Sequence, residues 1–167
     1  MIILGVDPGS LHTGFGLIDC AGRVPRLLDC GRISAAPGLS VPERLLLLAE
    51  ALVALLARER PDIAAVEKPF QGVNARSALV LAETRGALLL TLARAGLAIE
   101  EYAPAEVKSA ITGNGRADKE QVARMVRLQL GLGDRPLAPD ASDALAVALC
   151  SAVRRPLARR IEVALGR

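Results

Sequence analysis

The chain begins with an apolar run, Ile2 to Val6, whose first polar residue is a carboxylate, Asp7, delivered straight into Pro8-Gly9. A short continuous apolar run closed by a turn signal reads as a buried strand. Asp7 therefore stands at a strand end, where a sheet meets solvent. Thr13 to Asp19 then alternates small or polar with apolar residues, the pattern of a partner strand folded back by a hairpin. An aspartate in such a place can simply bond the backbone of its own turn. Asp7 gains weight because the pattern recurs twice more along the chain.

The recurrence emerges from the order of elements. Three strand-like segments come first, Ile2 to Asp7, Thr13 to Cys20 and Arg23 to Ile33, with turns at Pro8-Gly9 and Ala21-Gly22 that suggest an antiparallel meander. Ser40 can cap a helix running from Val41 to the neighbourhood of Arg60, where Pro61 stops it. Asp62 to Val66 is a short buried strand that ends at Glu67. A long helix spans Asn74 to Ala95, with Gly96 as its stop, and Leu97 to Tyr102 is a fifth strand. Pro104 to Ile111 is a short helix, followed by a glycine-rich loop from Gly113. Asp118 with Gln121 is a capping-box variant that opens a helix to Leu130. Pro139 begins the last helix, Asp140 to Val153, and an arginine-rich tail follows. Three strands and then alternating helix and strand predict a single α/β domain over residues 1–167, with residues 154–167 as a basic tail. Its centre is a mixed five-stranded sheet with helices on both faces.

Half of the residues are apolar (51%) while aromatics make up only 2%, so the core must be aliphatic. Phe15, Phe70 and Tyr102 each need a reason for their positions. The three cysteines, Cys20, Cys30 and Cys150, have no metal-type spacing, which favours reduced thiols and a cytoplasmic setting. No apolar run reaches the ~18 residues that span a bilayer. The nearest approach, Leu45 to Ala57, is broken by Glu50 and reads as a core-packing helix. The net charge of +3 is mildly basic. A basic surface around an acidic centre suits a metal-dependent enzyme acting on a polyanion.

That acidic centre is Asp7, Glu67, Asp140 and Asp143. The first two end strands, and the last two lie three apart at the start of the last helix, so they project from one face of it. Acidic residues in a first helical turn gain ~0.3–1 kcal/mol from the helix dipole, which accounts for Asp140 and Asp143 in isolation. It does not account for three elements each presenting a carboxylate where its apolar run begins or ends. Gathered together, such charges persist only if cations neutralise them, and an all-oxygen donor set selects Mg²⁺ or Mn²⁺. Two such ions ~3.5–4 Å apart form a clamp for phosphodiester hydrolysis.

The motifs that carry these residues are Ile-Leu-Gly-Val-Asp7-Pro-Gly-Ser with Thr-Gly-Phe-Gly, Ala-Val-Glu67-Lys-Pro-Phe70, Tyr102-Ala-Pro with Val107-Lys108, Gly-Asn-Gly-Arg-Ala-Asp-Lys119, and Asp140-Ala-Ser-Asp143-Ala-Leu-Ala. In order and spacing they resemble the RuvC-type Holliday junction resolvases over nearly the whole chain. The resemblance implies a ribonuclease-H-like fold, a homodimer and symmetric incision of four-way junction DNA. It leaves a branch-migration motor complex as a candidate further partner. Residue by residue, it implies that Asp7, Glu67, Asp140 and Asp143 bind two Mg²⁺ or Mn²⁺ ions, although some members have His at the position of Asp140. It further implies that Lys108 and Lys119 lie near the scissile phosphate and that Phe70 meets bases at the junction.

Independently of the resemblance, Phe70 sits among polar loop residues in a chain nearly free of aromatics, which suits a stacking wedge as well as a loop anchor. Arg76 and Arg116 are further candidates to meet phosphates. His12 is read as solvated rather than catalytic. Two other classes fit parts of the pattern. An actin–hexokinase-type phosphotransferase would use Asp7-Pro-Gly-Ser as a phosphate loop but needs a second related domain. A non-catalytic junction-binding module would be signalled by loss of an acidic ligand.

Overall fold

The computed structural model describes residues 1–69 and 75–164, with side chains to residue 155. The elements are β1 (Ile2–Asp7), β2 (His12–Asp19), β3 (Arg26–Ser34), α1 (Val41–Glu59), β4 (Ile63–Glu67), α2 (Ala75–Arg94), β5 (Ala98–Tyr102), α3 (Pro104–Thr112), α4 (Lys119–Gln129) and α5 (Pro139–Ala164). The strands form one sheet in the order β3-β2-β1-β4-β5. The first three pair antiparallel, while β4 and β5 continue from β1 in parallel. This is the mixed five-stranded sheet that the sequence order predicts.

The continuous apolar run of β1 now has its reason. Leu4 and Val6 face a core formed with Leu48, Leu52, Leu88 and Leu92 of α1 and α2. Ile3 faces the opposite core, built with Val107, Val122, Val126, Leu145 and Leu149 of α3, α4 and α5. A strand covered on both faces cannot alternate apolar with polar residues.

On that second face, α5 lies directly against backbone. A Cβ on Gly5 would stand 2.0 Å from the Ala144 carbonyl oxygen, and one on Gly14 would stand 2.1 Å from the carbonyl oxygen of Asp140. A Cβ on Gly16 would stand 2.6 Å from the Leu145 side chain. Gly5 and Gly16 are cross-strand partners, so the glycines of β1 and β2 form a shallow seat into which the helix drops. Absence of side chains at these positions is a packing requirement, and it brings the acidic start of α5 down to the sheet.

The two described phenylalanine- and tyrosine-bearing strands show how rare aromatics are used. Phe15 covers its cross-strand partner Gly31, where a Cβ would come within 2.9 Å of the ring. Tyr102 is buried, and its hydroxyl donates to Glu100 at 2.7 Å.

Element ends differ from expectation by more than one residue in two places. β3 starts at Arg26 rather than Arg23. The last helix does not stop near Val153 but runs to Ala164, so residues 154–164 continue a helix instead of forming a tail. Tertiary contacts hold the first residues of this continuation. Arg154 pairs with Glu106 of α3 at 2.7 Å, and Arg155 with Glu100 of β5 at 2.7 Å. The capping box at Asp118 and Gln121 forms as expected, with reciprocal bonds of 2.8 and 3.2 Å.

Gly5→Ala tests the glycine seat. Forcing a methyl into this contact should destabilise the fold by about 1–3 kcal/mol or more, read as a lower midpoint in urea. An equal substitution at Gly86, where an added Cβ meets nothing, should leave the midpoint unchanged or raise it. A Gly5→Ala protein as stable as the parent would remove the seat from the account.

Candidate active site

The register of the sheet places one row of residues across all five strands. Tyr102 pairs with Glu67, Asp7 follows Val6 in the parallel pairing of β1 with β4, Asp7 pairs with Gly14, and Gly14 pairs with Arg32. Directly paired residues project to the same face, here the face that carries α5. Asp7 and Glu67 thus emerge side by side at the ends of parallel strands, beneath the first turns of α5.

Asp7 and Glu67 are both half-buried, and their carboxyls act on each other. Burial is the largest influence on Asp7, followed by the charges of Glu67 and Asp143, and together they push its carboxyl up to about 8. Glu67 is also raised, by burial first and Asp143 second, while its bond from Asp7 pulls the other way. Between them the two carboxyls therefore keep a proton at pH values where an isolated carboxylate has lost it.

Asp143 approaches from α5 and accepts from the Lys119 ammonium at 2.9 Å. This bond is the first reason that the Lys119 amine is held protonated above its ordinary range. Glu67, Lys108, Lys119 and Asp143 line a cleft of about 190 Å³ together with Pro104, Val107, Val122 and Ala146. Lys108 and Lys119 both lower the Glu67 carboxyl through their charge. Three of the expected carboxylates and both expected lysines thus meet in one place.

Asp140 stands apart from this cluster. Its backbone rests over Gly14, and its carboxylate pairs with Arg32 Nη1 at 3.5 Å, on the β3 side of the row. Arg76 is exposed at the start of α2, and Arg116 is exposed in the glycine-rich loop, where its backbone N–H donates to Asn114 Oδ1 at 3.0 Å. Neither lines the cleft. Phe70 lies outside the described residues. His12 is exposed and bonds Ser34 at 3.0 Å.

Two arginines acquire roles that sequence reading did not give them. Arg32 is the partner of Asp140. Arg85, on α2, is tied into the fold. It pairs with Glu101 and donates to the Glu67 carbonyl oxygen at 3.4 Å, which fixes the end of β4 against β5. Arg32 was visible only through strand register, and Arg85 only through helix docking.

Among the described residues, no group of three or more His, Cys, Asp or Glu side chains converges as a ready-made metal cage. Each carboxylate instead has a cationic or protic partner: a shared proton on Asp7 and Glu67, Lys119 on Asp143, Arg32 on Asp140. A divalent ion would replace these partners, and the all-oxygen donor set fits a hard cation.

Residues 3–151 match the family model for crossover junction endodeoxyribonuclease RuvC. The chain belongs to the RuvC family. A RuvC from Chloroflexus aggregans is 46% identical over 163 residues, covering 98% of this chain and 99% of the relative. The structure of Thermus thermophilus RuvC in complex with a Holliday junction substrate superposes with a TM-score of 0.88 at 34% identity, covering 95% of this chain and 96% of that one. The yeast mitochondrial Holliday junction resolvase shares the fold at 12% identity and a TM-score of 0.66. The ribonuclease-H-like fold is therefore that of RuvC and related resolvases. RuvC proteins are metal-dependent nucleases, and this chain is a crossover junction endodeoxyribonuclease.

The raised Asp7 carboxyl has a measurable consequence without metal. Unfolded, Asp7 loses its proton near 3.8, whereas in the fold it keeps the proton to about 8. Between those values unfolding releases a proton, so this group's contribution falls as pH rises and is fully lost above the folded value. Asp7→Asn cannot ionise. In a chelator, its melting temperature relative to the parent should therefore climb steadily from pH 5 to pH 8.5. A difference that stays flat with pH would contradict the shared proton.

Proposed function

We propose that this chain resolves four-way DNA junctions with Asp7, Glu67, Asp140 and Asp143 as ligands for two divalent ions, Mg²⁺ or Mn²⁺. The carrying observation is the convergence of Asp7, Glu67 and Asp143 with Lys108 and Lys119 at one edge of the sheet. The bound ions would supply Lewis acidity to the scissile phosphate and make hydroxide available near neutral pH.

The chain's own residues do the rest. Asp7 and Glu67 give up their shared proton as cationic charge arrives, since an opposite charge favours the ionised carboxylates. Lys119 turns from Asp143 toward the phosphate, and Lys108 flanks it from the same cleft wall, so that both ammonium groups offset the charge that builds in hydrolysis. The strand ends hold the carboxylates on rigid backbone, and Arg85 keeps the Glu67 end from drifting. Scission leaves a 5′-phosphate and a 3′-hydroxyl, a nick that can be religated. Phe70, Arg76 and Arg116 contact DNA, and the enzyme works in the cytoplasm.

A junction has near two-fold symmetry, so a two-fold dimer can present equivalent sites to opposed strands. The α1–α2 face supports this reading. Leu46, Val53 and Leu90 are more than half exposed there and border an apolar groove of about 800 Å³. Exposed apolar surface of that kind marks interaction sites. Each chain is 17.5 kDa. The dimer should sediment at about twice that mass, and Leu46→Asp with Leu90→Asp should yield monomer with an intact melting transition. A double variant that remains dimeric would place the interface elsewhere.

Asp7→Asn and Asp143→Asn should each abolish nicking of a synthetic four-way junction while gel-shift affinity holds or tightens, because negative charge near phosphate is removed. Cleavage by either variant at close to the parental rate would defeat the assignment. The same assay reads Phe70→Ala, where a lost base stack of ~1–3 kcal/mol lowers cleavage with little change in stability.

A further inference from the structure

Arg32 is held by register rather than by chance of rotamer. It pairs across β2 and β3 with Gly14, which in turn pairs with Asp7, so Arg32 and Asp7 project from the same face with a glycine gap between them. Asp140 is lowered into that gap, its carbonyl 2.1 Å from where a Gly14 Cβ would be. Its carboxylate then meets the guanidinium at 3.5 Å. The pair is only partly shielded, with the arginine side chain 46% and the aspartate 31% exposed. Both partners thus remain open to exchange with solvent ions.

We propose that Arg32 is the resident counter-cation of Asp140 and competes with a divalent ion for it, so that this arginine sets how tightly the Asp140 side of the site is loaded. The proposal rests on the reading of Asp140 as a metal ligand. Lys119 does the same for Asp143, but Lys119 also lines the cleft with Glu67 and Lys108. Arg32 does not line it, and stands across the row. It acts as a positioning residue: it keeps the Asp140 carboxylate turned toward β3 until a divalent ion displaces it. The competition is set by ion concentration and salt.

Calorimetric titration of Mn²⁺ into the full chain, without DNA, measures loading directly. Arg32→Gln should tighten Mn²⁺ binding by roughly three- to tenfold, the scale expected for removing one partly exposed cation beside a divalent ion. Arg32→Lys keeps the charge and should bind as the parent does. Asp140→Asn should weaken binding, and adding Arg32→Gln to it should produce no further change. Melting temperatures in chelator establish that all four variants are folded. If Arg32→Gln leaves affinity unchanged while Asp140→Asn weakens it, the competition is overturned and Asp140 stands as a ligand. If Asp140→Asn has no effect, the ligand reading fails and takes the proposal with it. Tightening by Arg32→Gln that persists in the Asp140→Asn background also overturns it, since the arginine would then act through another group.

Discussion

The contact on which the molecule depends is the seating of α5 on the glycines of β1 and β2. Backbone meets backbone there, with no room for a single methyl at Gly5 or Gly14. Interiors are packed to crystal-like density, so such a contact fixes the height of the helix over the sheet to within a few tenths of an ångström. Asp140 and Asp143 belong to that helix and Asp7 belongs to the strand beneath it. The distance between the acidic groups is therefore set by glycine packing before any charge is considered.

Charge then works against the fold, and the fold contains it. Carboxylates buried together disfavour their ionised forms through desolvation and mutual repulsion. Here the strain is relieved piecemeal, by a proton between Asp7 and Glu67, by Lys119 on Asp143 and by Arg32 on Asp140. These are exchangeable partners. A site whose anions are already paired with displaceable cations can be loaded without rebuilding its backbone.

Much of this was legible in the residues. The run Ile2–Val6 announced a strand covered on both faces, and Asp7, Glu67 and Asp143 declared themselves by closing or opening apolar segments. What stayed hidden was whatever depends on register or on long-range ion pairs. Arg32 looks like any charged strand residue until Gly14 is known to lie opposite it. Asp140, three residues from Asp143, shares its helical turn, yet its carboxylate faces Arg32 instead of the Lys119 cluster. The extension of α5 past Val153 stayed hidden, because Glu100 and Glu106 lie far away in sequence from the arginines they hold.

The length of α5 has a mechanical meaning. A helix rises 1.5 Å per residue, so Asp143 sits about 1.5 Å along the axis from Ala144 in the glycine seat, whereas Arg155 lies roughly 16 Å beyond it. The seat acts as a fulcrum with a very short arm on the acidic side. A tilt that moved the Arg155 end by an ångström would shift Asp143 by only about a tenth of that. A disturbance at the Arg155 end, where Glu100 holds the helix, thus reaches the carboxylate above Asp7 strongly reduced.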